Sequence, residues 1–82
     1  MKDAIREILT KHGRLPVAVD TLADDADLHA AGLTSFGSVE VMMALEEEFG
    51  IEFPDRMLNR RNFASIAAIA NAVQMVQTEA AA

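Results

Sequence analysis

The chain has 82 residues, 13 acidic and 7 basic side chains, a formal charge of −6 and no cysteine. This length allows one folded domain, because independent cores need roughly 50 residues or more each, and it argues against an enzyme with a deep cleft of its own. The acidic balance argues against a nucleic-acid partner, since phosphate binding needs clustered Lys and Arg. The lack of cysteine excludes disulfides, thiolate nucleophiles and zinc–thiolate sites.

The amino terminus does not have the pattern of a signal peptide, because Met1-Lys2-Asp3 leads directly into a charged amphipathic stretch. No segment approaches the roughly 20 apolar residues of a membrane span. We therefore expect a soluble, cytoplasmic protein.

The first helix and a long loop are predicted for the amino-terminal half. Apolar residues recur at helical spacing from Lys2 to His12, and Gly13 is expected to end the helix. The stretch from Arg14 to Thr34 lacks a long period and predicts an ordered loop, with a short turn of helix around Thr21 to Asp25. Loops of this length are uncommon and are often functional.

Two further helices are predicted for the carboxy-terminal half. The second helix runs from about Ser35 to Phe49 and ends at Gly50. A brief helix at Asp55 to Leu58 precedes a polar loop at 59–62, and Ser65 caps the last helix. Residues 78–82 are expected to form a flexible tail, which leaves 1–77 as the domain.

The second helix has two apolar faces. Four large residues on one arc are assigned to the core: Val41, Met42, Leu45 and Phe49. On nearly the opposite arc, Phe36, Val39 and Met43 form an exposed stripe with Glu40 and Glu47 beside it, which is the composition of a docking surface. In the alternative, Phe36 packs against the long loop, and Val39 and Met43 are ordinary exposed apolar residues.

Motifs for metal binding or catalysis are not recognisable. His12 and His29 lie on different elements without paired ligand spacing and are expected to be exposed. A calcium loop begun at Asp25 would place Ala30 where glycine is required and Phe36 where a bidentate glutamate belongs. A metal site is therefore not predicted.

Ser35 is the remaining candidate for chemistry. It lies where the long loop meets the second helix, so its hydroxyl would be exposed beside unpaired backbone N–H groups and the positive end of the helix dipole. That position favours an attached phosphate group. In the alternative, Ser35 is only an N-cap, and Thr34 and Ser38 are competing hydroxyls. Composition and spacing alone thus indicate an acidic helical interaction module.

The segment Gly32-Leu33-Thr34-Ser35-Phe36-Gly37-Ser38-Val39-Glu40, with the acidic helix that it opens, resembles the acyl carrier proteins and their Asp-Ser-Leu attachment motif. The resemblance covers nearly the whole chain and implies an all-α bundle of three main helices plus one short helix. It aligns Ser35 with the serine that holds 4′-phosphopantetheine, which a phosphopantetheinyl transferase transfers from coenzyme A. It also implies a monomeric, non-catalytic carrier whose partners dock on Phe36, Val39, Glu40, Met43 and Glu47.

The segment departs from the family pattern at three positions. Thr34 replaces the usual aspartate, Phe36 replaces leucine, and Gly37 stands where fatty-acid carriers often have a second acidic residue. Together with Leu58-Asn59-Arg60 and Phe63-Ala64-Ser65-Ile66, these features make the chain most similar to the bacterial aminoacyl carrier proteins.

That similarity implies a small amino acid, such as glycine or alanine, held as a thioester. It also implies a loading ligase that resembles a class II aminoacyl-tRNA synthetase, and a downstream acceptor enzyme. The alternatives are a fatty-acid or polyketide-type acyl carrier and, from another class, an unmodified helical adaptor. Arg60 and Arg61 interrupt the acidic surface and are expected only to solvate a loop.

Overall fold

The computed structural model describes residues 1–81 and contains three α-helices. α1 spans Lys2–His12, α2 spans Ser35–Phe49 and α3 spans Ile66–Ala81. Residues 1–81 contain no β-strand, and the predicted all-α class is confirmed. None of the helices in this range is long and apolar enough to cross a membrane.

The short segments between the helices differ from the prediction. The turn expected around residues 21–25 is a 3-10 turn at Val19–Thr21, and the brief helix expected at residues 55–58 is a 3-10 turn at Asp55–Met57. A further 3-10 turn, Arg60–Phe63, occupies most of the expected polar loop, because the Asn59 side chain accepts a hydrogen bond from the Asn62 N–H at 3.0 Å. A fourth α-helix is therefore absent from residues 1–81.

The core lies where the three helices meet. Side chains with no exposed surface come from all three helices: Ile5, Leu9, Val41, Leu45, Ile66, Ile69 and Val73. Met42 and Phe49 were predicted to belong to this core, but they are only partly buried against its margin. Their side chains lie at the edges of the α2 core face, where neighbouring elements cover them incompletely.

Arg6 of α1 fastens the long loop to the bundle. Its Nη1 donates hydrogen bonds to the carbonyl oxygens of Val19 and Leu22, each at 3.0 Å, and its Nη2 lies 2.7 Å from Asp24 Oδ1. Lys2 Nζ lies 3.0 Å from the other carboxylate oxygen of Asp24. The hydrogen bonds from Arg6 and Lys2 lower the pKa of the Asp24 carboxyl, so this anchor stays ionised at neutral pH.

The two glycines at the α1–α2 contact have different roles. Gly13 follows α1 as predicted, but it keeps a right-handed conformation (φ −74°), and Arg14 is the residue with positive φ (54°). A Cβ atom at Gly37 would lie 2.9 Å from the Gly13 carbonyl oxygen and 3.2 Å from Leu33 Cδ1. The start of α2 can therefore approach the end of α1 this closely only without a side chain at position 37.

Thr34, and not Ser35, is the N-cap of α2. The hydroxyl oxygen of Thr34 accepts a hydrogen bond from the Gly37 N–H at 3.0 Å, and Thr34 has extended backbone angles. Ser35 is the first helical residue, so its hydroxyl lies outside the capping bond. At the other end, Gly50 takes a left-handed conformation (φ 62°), as the predicted helix end requires.

α3 continues through the segment that was predicted to be a flexible tail. Its Ser65 cap is as predicted, since Ser65 Oγ accepts a hydrogen bond from the Ala68 N–H at 3.0 Å. The helix extends to Ala81, and Arg56 forms an ion pair with Glu79 in the last turns. Residues 78–81 are therefore helical, Ala82 lies outside the described residues, and the flexibility of this segment stays a prediction. The boundary of the domain at residue 77 stays a prediction.

Replacing Gly37 with alanine is expected to lower the free energy of unfolding by about 1–3 kcal/mol, because the added methyl group must displace the Gly13 carbonyl or Leu33. Urea unfolding followed by circular dichroism measures the difference. The control is Glu48→Ala on the exposed side of α2, which should change stability by no more than about 0.5 kcal/mol. Equal stabilities for the Gly37 and Glu48 variants would contradict the close contact.

The assignment of the cap to Thr34 predicts that removing its hydroxyl lowers the stability of the fold more than removing the hydroxyl of Ser35. Thr34→Ala should cost about 1 kcal/mol of stability, because the Gly37 N–H loses its acceptor, whereas Thr34→Asp should keep the cap. Ser35→Ala should change stability by no more than about 0.5 kcal/mol. The same unfolding measurement compares the three variants, and a larger loss for Ser35→Ala than for Thr34→Ala would show that Ser35 is the cap.

Candidate functional site

Ser35 lies exposed at the start of α2. Thr34 already accepts the hydrogen bond from Gly37, and the Ser38 N–H donates to the Thr34 carbonyl oxygen at 2.8 Å. Neither bond uses the N–H groups of Ser35 and Phe36, which belong to the positive end of the helix dipole. An accessible hydroxyl therefore stands beside backbone donors suited to a phosphate group.

The stripe predicted on α2 is exposed. Phe36, Val39 and Met43 have 83%, 52% and 59% of their surface accessible to solvent. The alternative, in which Phe36 packs against the long loop, is therefore wrong. An apolar stripe of this kind next to an accessible serine provides contact area for another molecule.

The carboxylates near the stripe differ in their surroundings. Glu47 is exposed, whereas Glu40 is partly buried and lies 3.4 Å from Arg14 Nη2. The sequence does not predict a structural role for Glu46, but its Oε2 accepts a hydrogen bond from the Phe53 N–H at 2.9 Å. A glutamate near the end of a helix followed by a short connector is the sequence signal that points to such a bond.

An open groove of about 500 Å³ lies next to Ser35, between α2 and the Arg60–Phe63 turn. Its apolar lining comes from both sides of the groove: Leu33, Val39, Met42, Leu58 and Phe63. Ser38 also lines it, and the Ser38 hydroxyl oxygen is buried without a hydrogen-bond partner among the described residues. The groove can therefore receive a group with both apolar parts and a polar atom.

Sequence reasoning missed this groove because its two walls are separated by about two dozen residues. The sequence indicates Ser38 only as a hydroxyl that competes with Ser35. The sequence signal for the groove is Ser38 itself, a polar residue between Gly37 and Val39 on a helix that packs against the core.

The two histidines do not form a metal centre. His12 is exposed as predicted, but His29 is partly buried, and its Nε2 lies 3.1 Å from the Arg60 carbonyl oxygen. Within residues 1–81, no three His, Cys, Asp or Glu side chains are grouped so that they could hold a metal ion.

Comparison with known proteins identifies the family of the chain. A family model described as a phosphopantetheine attachment site matches residues 3–73. The aminoacyl carrier protein of Agrobacterium fabrum is 59% identical over 76 residues, which cover 93% of this chain and 92% of that protein.

Solved structures agree as well. A carrier protein from Agrobacterium tumefaciens, crystallised with an engineered Bradyrhizobium japonicum glycine:carrier protein ligase and AMP, matches with a TM-score of 0.88. It is 61% identical, over 90% of this chain and 99% of that one. A solution structure from Agrobacterium tumefaciens matches over the whole of both chains, with a TM-score of 0.79 and 57% identity.

The family match covers most of the chain, and the relatives are similar over nearly their full length. The chain therefore belongs to the phosphopantetheine-attachment family and is a non-catalytic carrier, homologous to the aminoacyl carrier proteins, whose prosthetic group is 4′-phosphopantetheine.

Proposed function

We propose that Ser35 is the attachment residue and that the protein presents a small amino acid, such as glycine or alanine, as a thioester to partner enzymes. The observation that supports this most directly is that two adjacent hydroxyl residues at the start of α2 have different roles. Thr34 provides the cap, so the adjacent Ser35 hydroxyl is exposed and outside the capping bond.

The surroundings of Ser35 suit a phosphodiester. The backbone N–H groups at the start of α2 offer hydrogen bonds to phosphate oxygens, and the helix dipole stabilises their negative charge. Exposure of the hydroxyl gives a phosphopantetheinyl transferase access to it. When attached, the arm supplies a terminal thiol, which this cysteine-free chain lacks, and a thioester on that thiol keeps the cargo activated for transfer.

The groove beside Ser35 fits the prosthetic group. A pantetheine arm contains apolar methyl and methylene groups together with two amides. The side chains of Val39 and Met42 would contact its apolar parts.

The proposed cargo and loading enzyme come from the carrier protein crystallised with a glycine:carrier protein ligase, to which this chain is 61% identical. Gly37 is a structural departure from the fatty-acid carriers. The acidic side chain that fatty-acid carriers often have there would collide with the Gly13 carbonyl oxygen. We place the protein in the cytoplasm, where coenzyme A and ATP are available to the modifying and loading enzymes, with a downstream enzyme accepting the cargo.

We further propose that the α2 stripe is the docking surface for these enzymes. Phe36, Val39 and Met43 would supply apolar contact area, and Glu40 and Glu47 would steer a basic partner. The Arg14–Glu40 ion pair is exposed on the arginine side, so a partner cation can replace Arg14 at little cost.

Incubation with coenzyme A and a phosphopantetheinyl transferase should add one arm to the protein, and Ser35→Ala should abolish the gain in intact mass. Thr34→Ala and Ser38→Ala are the matched controls, because they remove the neighbouring hydroxyls and should still accept the arm. A full mass gain in Ser35→Ala would exclude Ser35 as the attachment residue. Failure of the wild-type chain to gain any mass would favour the adaptor alternative.

Met43→Glu should slow amino-acid loading of the arm-bearing protein by at least about tenfold, because a charge enters the centre of the apolar stripe. The matched control is Met75→Glu on α3, since Met75 is similarly exposed (54%) but lies far along the sequence from the stripe. Loading is measured by mass, and folding by circular dichroism. Equal loading rates for the two variants, or loss of the fold in Met43→Glu, would contradict the docking surface.

A further inference from the structure

The cationic side chains fall into two groups. Five of the seven Lys and Arg residues form ion pairs with carboxylates: Lys2, Arg6, Lys11, Arg14 and Arg56. Arg60 and Arg61 are both exposed and form no ion pair with another residue of 1–81. In a chain with almost twice as many acidic as basic side chains, adjacent arginines without a carboxylate partner are unexpected.

The fold holds these arginines in place. Their 3-10 turn is capped by Asn59, and Asn62 Nδ2 donates a hydrogen bond to the Met57 carbonyl oxygen at 2.9 Å. Phe63, the last residue of the turn, is buried against Phe53 with their ring centroids 5.7 Å apart. The backbone beneath the arginines is therefore fixed, and less conformational entropy is lost when a partner binds them.

The location of the turn connects it with the carrier site. Arg60 lines the Ser35 groove and also an adjoining depression that Arg61 shares with Asp27. Asp27 forms no ion pair with either arginine, and its Oδ1 accepts hydrogen bonds from the N–H groups of His29 and Ala30. Arg60 thus borders the groove on one side, and Val39 of the α2 stripe lines it on the other.

The arrangement favours a protein partner over a single phosphate group. Successive residues of a 3-10 turn point in directions about 120° apart, and only Arg60 lines the groove next to Ser35. Two diverging guanidinium groups suit carboxylates spread over a surface, each of which can accept a bidentate pair of hydrogen bonds.

We propose that Arg60 and Arg61 form a basic docking surface that binds carboxylates on the enzyme that loads the carrier. This inference rests on the proposed function and extends it. The loading enzyme must present acidic groups on one side of the entrance for the arm and basic groups on the other. A partner whose surface is uniformly basic would be repelled by the arginines.

The test uses the full chain with its arm attached and the purified glycine:carrier protein ligase. Arg60→Gln/Arg61→Gln is compared with Lys2→Gln/Arg56→Gln, which lowers the net charge by the same two units away from the groove. The Arg60/Arg61 variant should raise the KM for the carrier about tenfold at low ionic strength with kcat unchanged, and added salt should reduce the difference. Arg60→Lys/Arg61→Lys should recover most of the affinity.

Three outcomes would overturn the arginine surface. The first is an unchanged KM in the Arg60/Arg61 variant, and the second is an equal rise in the Lys2/Arg56 control. The third is slower arm attachment from coenzyme A in Arg60→Gln alone with normal loading afterwards, which would assign Arg60 to a phosphate. Failure of the wild-type protein to be loaded with glycine would instead contradict the proposed function, so the two failures are distinguishable.

Discussion

The hydrogen bond from the Gly37 N–H to the Thr34 hydroxyl oxygen is the interaction on which the proposed attachment site at Ser35 depends. It fixes Ser35 as the first residue of α2. It also gives the Gly37 N–H an acceptor, so that the Ser35 hydroxyl is not needed to cap the helix. The same Gly37 lies against the Gly13 carbonyl oxygen, so the cap and the α1–α2 contact meet at one residue. Thr34 is also a reasonable replacement for the aspartate of the attachment motif, because both side chains can accept this bond.

The long loop positions the site by connecting all three helices. Arg6 binds its first half to α1, and two backbone hydrogen bonds then join the loop to the end of the Arg60–Phe63 turn and to the first turn of α3. The Leu28 N–H donates to the Ala64 carbonyl oxygen at 2.7 Å, and the Ala67 N–H donates to the Asp24 carbonyl oxygen at 2.9 Å. Because these bonds hold residues 24 and 28, and Leu28 is fully buried, the loop keeps the start of α2 and the Arg60–Phe63 turn beside one groove.

Periodicity and end signals predict most of the fold, and tertiary contacts account for the differences. The bounds of α1 and α2 follow from apolar spacing together with Gly13 and Gly50, and the exposed stripe follows because one helix in a small bundle cannot bury two faces. The cap at Thr34 was not predicted, since Thr and Ser are both good caps and only the geometry of Gly37 decides between them. The groove and the ion pairs join residues far apart in sequence, so local patterns do not contain them.

The distribution of charge explains how so small a protein can select its partners. A fold of 82 residues with a groove open to solvent has little surface with which to exclude wrong enzymes, and apolar contact at Phe36 and Met43 is not selective by itself. Five cations are paired within the bundle, whereas Arg60 borders the Ser35 groove without an ion pair and Glu47 is exposed further along α2. Because the two proposed docking surfaces differ in the sign of their charge, a complementary enzyme is attracted in one orientation and repelled in the reverse one. Selection by orientation requires no additional buried surface, and it brings the arm to the entrance of the partner's active site.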